Sequence, residues 1–179
     1  MILSSHIIVA SAAAASAIQV FESKSSLTVF IVALASHYLL DVIPHWEYRL
    51  FSVDGFKDKE NDYSKIRMIF DIKNLLKDFL KVSFDFFAGL ALAWFLTGIF
   101  WPEFSLLFLA LAAGASVLPD VLQGFYIASK GTLRKIFLPL YISHLFFHSE
   151  FRLKKYPRLG FLFQTFIVGL IVALLSYYA

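Results

Sequence analysis

The sequence SHYLLDVIPHWEY, residues Ser36–Tyr48, begins inside an apolar run and ends beside charged residues. It contains His37, Asp41 and His45, each four residues from the next. A helix places residues with this spacing on one face, although Pro44 can turn the chain before His45. A carboxylate inside an apolar membrane segment is costly unless it is paired or bound to a metal. The stretch therefore predicts the end of a membrane helix that forms one wall of a polar site.

The composition of the whole chain indicates a membrane protein. Of the 179 residues, 59% are hydrophobic and 21 are Phe, and the mean hydropathy is +0.73. A soluble domain of this length carries less apolar surface. The chain has no cysteine, which excludes disulfides and thiolate ligands. Its basic residues are not interleaved with exposed aromatics on a polar scaffold, so no nucleic-acid partner is expected. We expect one integral membrane domain over residues 1–179.

Five apolar segments are long enough to cross a hydrocarbon core of about 30 Å at about 1.5 Å per residue, the second only barely. They are Ile2–Phe21, Leu27–Pro44, Phe79–Trp101, Phe104–Ala128 and Leu159–Tyr178. The predicted fold is therefore all-α: a polytopic membrane bundle of about five transmembrane helices.

Two other segments place apolar residues at helical spacing with basic residues between them. They are Tyr63–Leu80 and Thr132–Phe151. This pattern is typical of amphipathic helices that lie in the membrane interface. We expect an interfacial helix in each segment, with the second broken or bent at Pro139.

The distribution of Lys and Arg predicts the orientation. Eight of the 16 basic residues lie between Arg49 and Lys81, and seven lie between Lys130 and Arg158. With five spans, both basic regions fall on the same side as the N-terminus. By the positive-inside rule that side is cytoplasmic. No basic region precedes the first apolar segment, so a cleavable signal peptide is not expected.

On this topology, all five histidines and the three aspartates of the apolar runs lie at similar depth near the cytoplasmic side. The candidate metal ligands are His6, His37, Asp41, His45, Asp120, His144 and His148. Two imidazoles four residues apart, such as His144 and His148, can chelate one ion from one helical face. Nitrogen and carboxylate ligands without sulfur suit zinc best here, with manganese, iron or nickel as alternatives. The set could hold two metals, or one metal with further carboxylates that orient the histidines.

Each of these residues also has a simpler interpretation. His6 alone could be a hydrogen-bonded packing residue, and His45 could lie in the headgroup region. Asp85 follows Lys81 by four residues and could pair with it. Asp120 follows a proline and could cap a turn or a helix. The functional interpretation depends on the whole set meeting in space.

The motifs SHYLLDVIPHW, LPDVLQ and HLFFHS resemble a family of small bacterial integral-membrane proteins described as membrane-bound metal-dependent hydrolases. The positions that match the family's motifs are His6, His37 with Asp41, Pro119 with Asp120, and His144 with His148 and Ser149. The resemblance implies a bacterial cytoplasmic-membrane protein with hydrolase activity that depends on a metal. It does not supply a substrate.

A metal-dependent hydrolase at the cytoplasmic membrane surface is the preferred functional prediction. A divalent metal held by histidines and aspartates lowers the pKa of bound water to about 7 and polarises a phosphoryl or carbonyl oxygen. Asp41 or Asp85 could then accept the proton as general base. Because the site would lie at headgroup depth, the preferred substrate is a phosphorylated or phosphodiester lipid.

Basic residues near that depth are Arg49, Lys81, Arg134 and Arg152. They could bind a lipid phosphate, although the positive-inside rule already explains their presence.

Two alternatives stay open. Intramembrane His and Asp also mark pathways for metal ions or protons, but a transporter needs polar groups through the whole bilayer. The predicted outer halves of the spans offer little besides Ser16, Thr97 and Ser105, with Glu103 at the edge. The third interpretation is a non-catalytic polar cluster that only holds the helices together.

Overall fold

The chain forms a bundle of helices with one short pair of strands, in a computed structural model that describes residues 2–22, 24–54, 66–148 and 156–177. The helices found in these ranges are α1 Leu3–Val20, α2 Ser26–Val42, α3 Ile72–Phe100, α4 Leu106–Ala128, α5 Gly131–Phe147 and α6 Pro157–Tyr177. The strands β1 Val53–Asp54 and β2 Arg67–Met68 pair antiparallel. The prediction of an all-α fold is confirmed.

Four of the helices, α1, α3, α4 and α6, are long and apolar enough to cross a membrane. The fifth apolar helix, α2, has 17 residues, in keeping with the short second segment of the sequence. Large apolar side chains on the outside of the bundle are widely exposed, among them Phe84 at 77% and Leu107 at 72%. An apolar surface of this extent is consistent with a protein embedded in a membrane.

Helix α1 lies at the centre of the bundle and packs against α2, α3, α4 and α6. Its run of small residues permits this, because small side chains let helix backbones approach closely in a membrane. Ala10 and Ala14 pack with Ala33 of α2 and with residues of α4. On α3, a Cβ atom at Gly89 would lie 2.4 Å from Cα of Ser4, so only glycine fits this crossing.

The two ends of the bundle are distinct. At one end, Nζ of Lys24 lies 2.9 Å from Oε2 of Glu103 and joins the α1–α2 turn to the α3–α4 turn. At the other end, Asp85 of α3 accepts a hydrogen bond from the backbone N–H of Leu3. The first four apolar helices therefore alternate in direction, as the predicted topology requires.

The expected interfacial helix over Tyr63–Leu80 does not form a separate element. From residue 66 onward the chain first makes β2, and α3 then begins at Ile72 and runs unbroken to Phe100. The Asp71 carboxylate accepts a hydrogen bond from the N–H of Lys73 and caps this helix. The amphipathic residues are therefore the first turns of a long spanning helix.

The second expected interfacial helix corresponds to α5, and Pro139 lies inside it without ending it. This helix packs antiparallel to the C-terminal half of α4. The Tyr141 and Tyr126 rings stack with centroids 4.2 Å apart, and His144, one turn further along α5, approaches Asp120, earlier in α4. This packing brings the end of α5 beside the end of α2.

Candidate metal centre

Asp41 is the point on which three imidazoles from three helices converge. His6 of α1 places Nε2 3.3 Å from Oδ1 of Asp41. His37 of α2 and His144 of α5 place Nε2 3.1 Å and 2.9 Å from Oδ2. All four side chains are at most 2% exposed. We call these four residues, His6, His37, Asp41 and His144, the central cluster.

Local structure explains how the central cluster forms. His37 and Asp41 are one helical turn apart on α2, so the predicted four-residue spacing brings them together. The close packing of α1 on α2 stacks the His6 ring on the His37 ring, with centroids 4.1 Å apart and planes 24° apart. His144 reaches the same carboxylate from the end of α5.

The distances within the central cluster fit a shared divalent cation. Nε2 of His37 and Nε2 of His144 lie 3.3 Å apart. Two nitrogens bound to one tetrahedral metal at about 2.0–2.1 Å are separated by about 3.3 Å. Nδ1 of His6 and Nδ1 of His144 have no hydrogen-bond partner among the described residues. Buried polar atoms are normally satisfied, so this donor set fits a divalent metal.

A second group of side chains lies next to the first. Oε1 of Glu47 is 3.2 Å from Nε2 of His45 and 2.6 Å from Nε2 of His148. The three candidate ligand atoms lie within 4.8 Å of one another. We call His45, Glu47 and His148 the rim cluster, because Glu47 is 24% exposed and His148 is 8% exposed.

The rim cluster depends on a break in α2. The helix ends at Val42, and the chain is extended at Ile43 and has no regular secondary structure from Pro44 to Leu50. Beyond this break the side chains of His45 and Glu47 meet, with Nε2 3.2 Å from Oε1. His45 therefore leaves the helical stripe of His37 and Asp41. Glu47 was not among the predicted ligands; the signal for it is the His-x-Glu spacing directly after a helix-ending proline.

The two clusters are adjacent and share the end of α5. The rings of His144 and His148 are 5.6 Å apart, but His144 is directed to Asp41 whereas His148 contacts Glu47. The pair is thus divided between the clusters. Ligand atoms of Asp41, His144 and His148 still lie within 4.8 Å of one another, which places the clusters side by side.

Asp120 and Asp85 have different positions. Asp120 lies inside α4 and not at a cap; its Oδ1 is 3.7 Å from Nε2 of His144, and the side chain is 30% exposed. It also groups with His37 and His144 as a candidate ligand.

Asp85 belongs to none of the candidate ligand groups of the described residues. Its carboxylate instead caps α1 and accepts a hydrogen bond from the Tyr48 hydroxyl at 3.2 Å. Its role as a general base stays a prediction.

The pKa values of Glu47 and Tyr48, which follow the break in α2, are shifted in opposite directions. Burial alone raises the pKa of Glu47, but nearby positive charge and the close approach of His148 and His45 outweigh it and hold that pKa well below its usual range. Glu47 is therefore a carboxylate at neutral pH. Burial and the neighbouring Asp85 raise the pKa of Tyr48, so its hydroxyl stays protonated.

The basic residues expected near lipid phosphates already have partners where the structure describes them. Nζ of Lys81 donates to the carbonyl of Arg49 at 3.1 Å and lies over the Tyr48 ring. A guanidinium nitrogen of Arg134 donates to the carbonyl of Ile66 at 2.7 Å. Arg152, like Ser149 of the family motif, lies outside the described residues. Phosphate binding by these side chains stays a prediction.

No protein-family model matches the chain, and no curated protein or solved structure is significantly similar to it. The resemblance to metal-dependent membrane hydrolases thus stays an expectation. Any function proposed for this protein depends on the geometry of the two clusters.

Proposed function

We propose that this protein is a metal-dependent hydrolase of the membrane interface, acting on a phosphorylated or phosphodiester lipid. The observation that supports the proposal is the convergence of three buried imidazole Nε2 atoms on Asp41, at separations of 2.9–3.3 Å. His6, His37, Asp41 and His144 would hold the metal. When bound, zinc or another divalent metal supplies Lewis-acid activation of water and of a phosphoryl oxygen.

The chain's own residues would orient the metal and accept the proton. Asp41 is enclosed by imidazoles, so it acts best as a ligand. Asp120 is the most exposed carboxylate of the central cluster's surroundings, at 30% exposed and 3.7 Å from Nε2 of His144. A carboxylate at the edge of the site, rather than enclosed by ligands, suits a general base. We therefore assign the proton-accepting role to Asp120 in preference to Asp41 or Asp85.

A lipid substrate suits the surroundings of the site. The helix that contributes His144 also carries a shallow apolar groove, lined by Leu138, Pro139, Ile142 and Phe146 among others. Acyl chains can lie against such a surface while the headgroup reaches the polar clusters at the helix end. The cytoplasmic side of a bacterial inner membrane remains the proposed location, from the distribution of basic residues.

Transport of a metal ion or proton is the second candidate. One observation favours it: α1 also carries the buried Ser11, whose hydroxyl has no hydrogen-bond partner among the described residues, and the buried Ser16. Ser16, however, donates to the carbonyl of Leu175, and hydroxyls alone make a poor path for a cation. Hydrolysis is therefore the preferred proposal.

The test begins with protein purified in detergent without chelator. Metal content is measured by mass spectrometry for the wild type, His37→Ala and, as a control, Glu103→Gln at the opposite end of the bundle. The proposal expects bound metal in the wild type and the control, and less bound metal in His37→Ala. The metal-loaded protein is then incubated with micelles of a phosphomonoester lipid and of a phosphodiester lipid, and in parallel assayed for ion flux in liposomes. Flux without hydrolysis would favour the transporter, and absence of metal from the wild type would favour the structural cluster.

A further inference from the structure

We infer that the rim cluster, His45, Glu47 and His148, is a second divalent-metal site, so that the protein holds a binuclear centre in which the second metal occupies the more exposed position. Its catalytic role rests on the proposed function, whereas the metal site itself rests on the three side chains alone.

The orientation of the His45 ring is the first observation that supports this site. Nδ1 of His45 lies 2.7 Å from the carbonyl oxygen of Ile43. A carbonyl oxygen can only accept, so Nδ1 is the protonated nitrogen and a neutral ring bears its lone pair on Nε2. That Nε2 atom is 3.2 Å from Oε1 of Glu47. Metal-binding histidines are oriented in this way, with the far nitrogen donating to a backbone carbonyl and the near one free to coordinate.

His148 adds a third donor at the same oxygen. Its Nε2 lies 2.6 Å from Oε1 of Glu47, and its Nδ1 is buried without a hydrogen-bond partner among the described residues. Two imidazole nitrogens therefore meet one carboxylate oxygen, and a neutral His45 that donates through Nδ1 has no second N–H to offer that oxygen. Without a cation between them, the Nε2 lone pair would face the carboxylate, which is unfavourable. One divalent cation satisfies all three ligand atoms instead.

Exposure separates the roles of the two sites. The central cluster offers four ligands that are at most 2% exposed, so a metal there would be the less accessible of the two. The rim cluster offers three protein ligands, with Glu47 at its open side. Three ligands and one open position are typical of a catalytic metal. The rim site is therefore the one that a phosphate oxygen of the substrate can reach.

The adjacency of the clusters supports one centre rather than two unrelated sites. Ligand atoms of Asp41, His144 and His148 lie within 4.8 Å of one another, so the sites meet at the end of α5. In two-metal hydrolytic centres the ions are about 3.5–4 Å apart and contact both oxygens of the displacement.

The experiment is a zinc titration of the metal-free, full-length protein, with the number of tightly bound equivalents read by equilibrium dialysis. Wild type is expected to bind two equivalents. Glu47→Gln, which keeps the shape of the side chain, is expected to bind one, with the second weakened by roughly 100-fold or more, since changes beyond the ligands alone cost about 10- to 100-fold. His148→Ala should give the same result. Glu103→Gln is the matched control and should bind two.

The outcomes distinguish this inference from the proposed function. Two equivalents in wild type and one in Glu47→Gln establish the rim site even if no lipid is hydrolysed. One equivalent in wild type, or two in Glu47→Gln, overturns it even if hydrolysis is observed, and the rim cluster is then an imidazolium–carboxylate pair. Circular dichroism of each variant confirms that it is folded; if Glu47→Gln does not fold, His148→Ala decides the question.

Discussion

Nε2 of His144 lies 2.9 Å from Oδ2 of Asp41, although 103 residues separate them in the chain. The contact joins the end of α5 to the end of α2 inside an apolar bundle. A charged side chain without a partner is energetically unfavourable inside an apolar bundle. Here three imidazoles surround the Asp41 carboxylate. These four side chains could together hold a divalent cation.

Removal of the metal should destabilise the protein, because the central cluster joins α1, α2 and α5. A ligand present at 100 times its dissociation constant adds about 2.7 kcal/mol to the free energy of unfolding. We therefore expect the unfolding temperature in detergent to fall with chelator and to recover with zinc. His37→Ala, which lacks a ligand of the central cluster but keeps the rim cluster, should respond less to both treatments. An equal response in wild type and His37→Ala would mean that the metal binds elsewhere.

Asp120→Asn separates proton transfer from metal binding. The substitution keeps the shape of the side chain but removes the general base, which typically costs about 10²- to 10⁴-fold in rate. We expect turnover of lipid phosphate to fall by at least about 100-fold while metal content stays at the wild-type value. Metal analysis and the turnover assay are made on the same preparation. Loss of metal together with activity would show that Asp120 is a ligand, as its place among the candidate groups allows.

Asp85→Ala tests whether this residue is a cap or a base. Its carboxylate accepts hydrogen bonds from the N–H groups of Leu3 and Ser4, and loss of a helix cap costs about 1 kcal/mol. We expect a lower unfolding temperature with unchanged metal content. Turnover per folded molecule should also be unchanged. A loss of turnover in a protein of wild-type stability would instead support a general base at this position.

Gly89→Ala tests the close crossing of α1 and α3. The new Cβ would meet Cα of Ser4 at 2.4 Å, so the helices must move apart; overpacking of this kind costs about 1–3 kcal/mol. Gly98→Ala on the same helix is the matched control, because nothing lies within 4 Å of its Cβ position. Thermal unfolding followed by circular dichroism should show destabilisation in the first variant only. Equal stability would mean that α1 and α3 are further apart than described.

Much of this arrangement is predictable from the sequence because it depends on two simple features, the length of the apolar segments and the spacing of polar residues within them. Apolar length identifies the spanning helices, and the four-residue spacing of His37 and Asp41 places them on one face of α2. The convergence with His144 follows once the basic residues fix which helix ends lie together. The spacing of His37 and Asp41 and the distribution of the basic residues therefore predict which residues form the central cluster.

The remaining features depend on contacts that spacing does not encode. Glu47 is not predicted because it lies beyond the end of α2, where the four-residue spacing of a helix no longer applies. The capping role of Asp85 depends on Leu3, 82 residues away. The fusion of an amphipathic stretch into α3 depends on β2 and Asp71, which set where that helix begins.

The central claim is that imidazoles of α1, α2 and α5 bind one metal together with Asp41. X-ray absorption at the zinc edge of the purified, zinc-loaded protein measures this most directly. The account predicts a first shell of nitrogen and oxygen at about 2.0–2.1 Å, with the outer-shell signal of several imidazoles, and fewer imidazoles in His144→Ala. A shell of oxygen alone, without imidazole scattering, or a spectrum unchanged in His144→Ala, would contradict it.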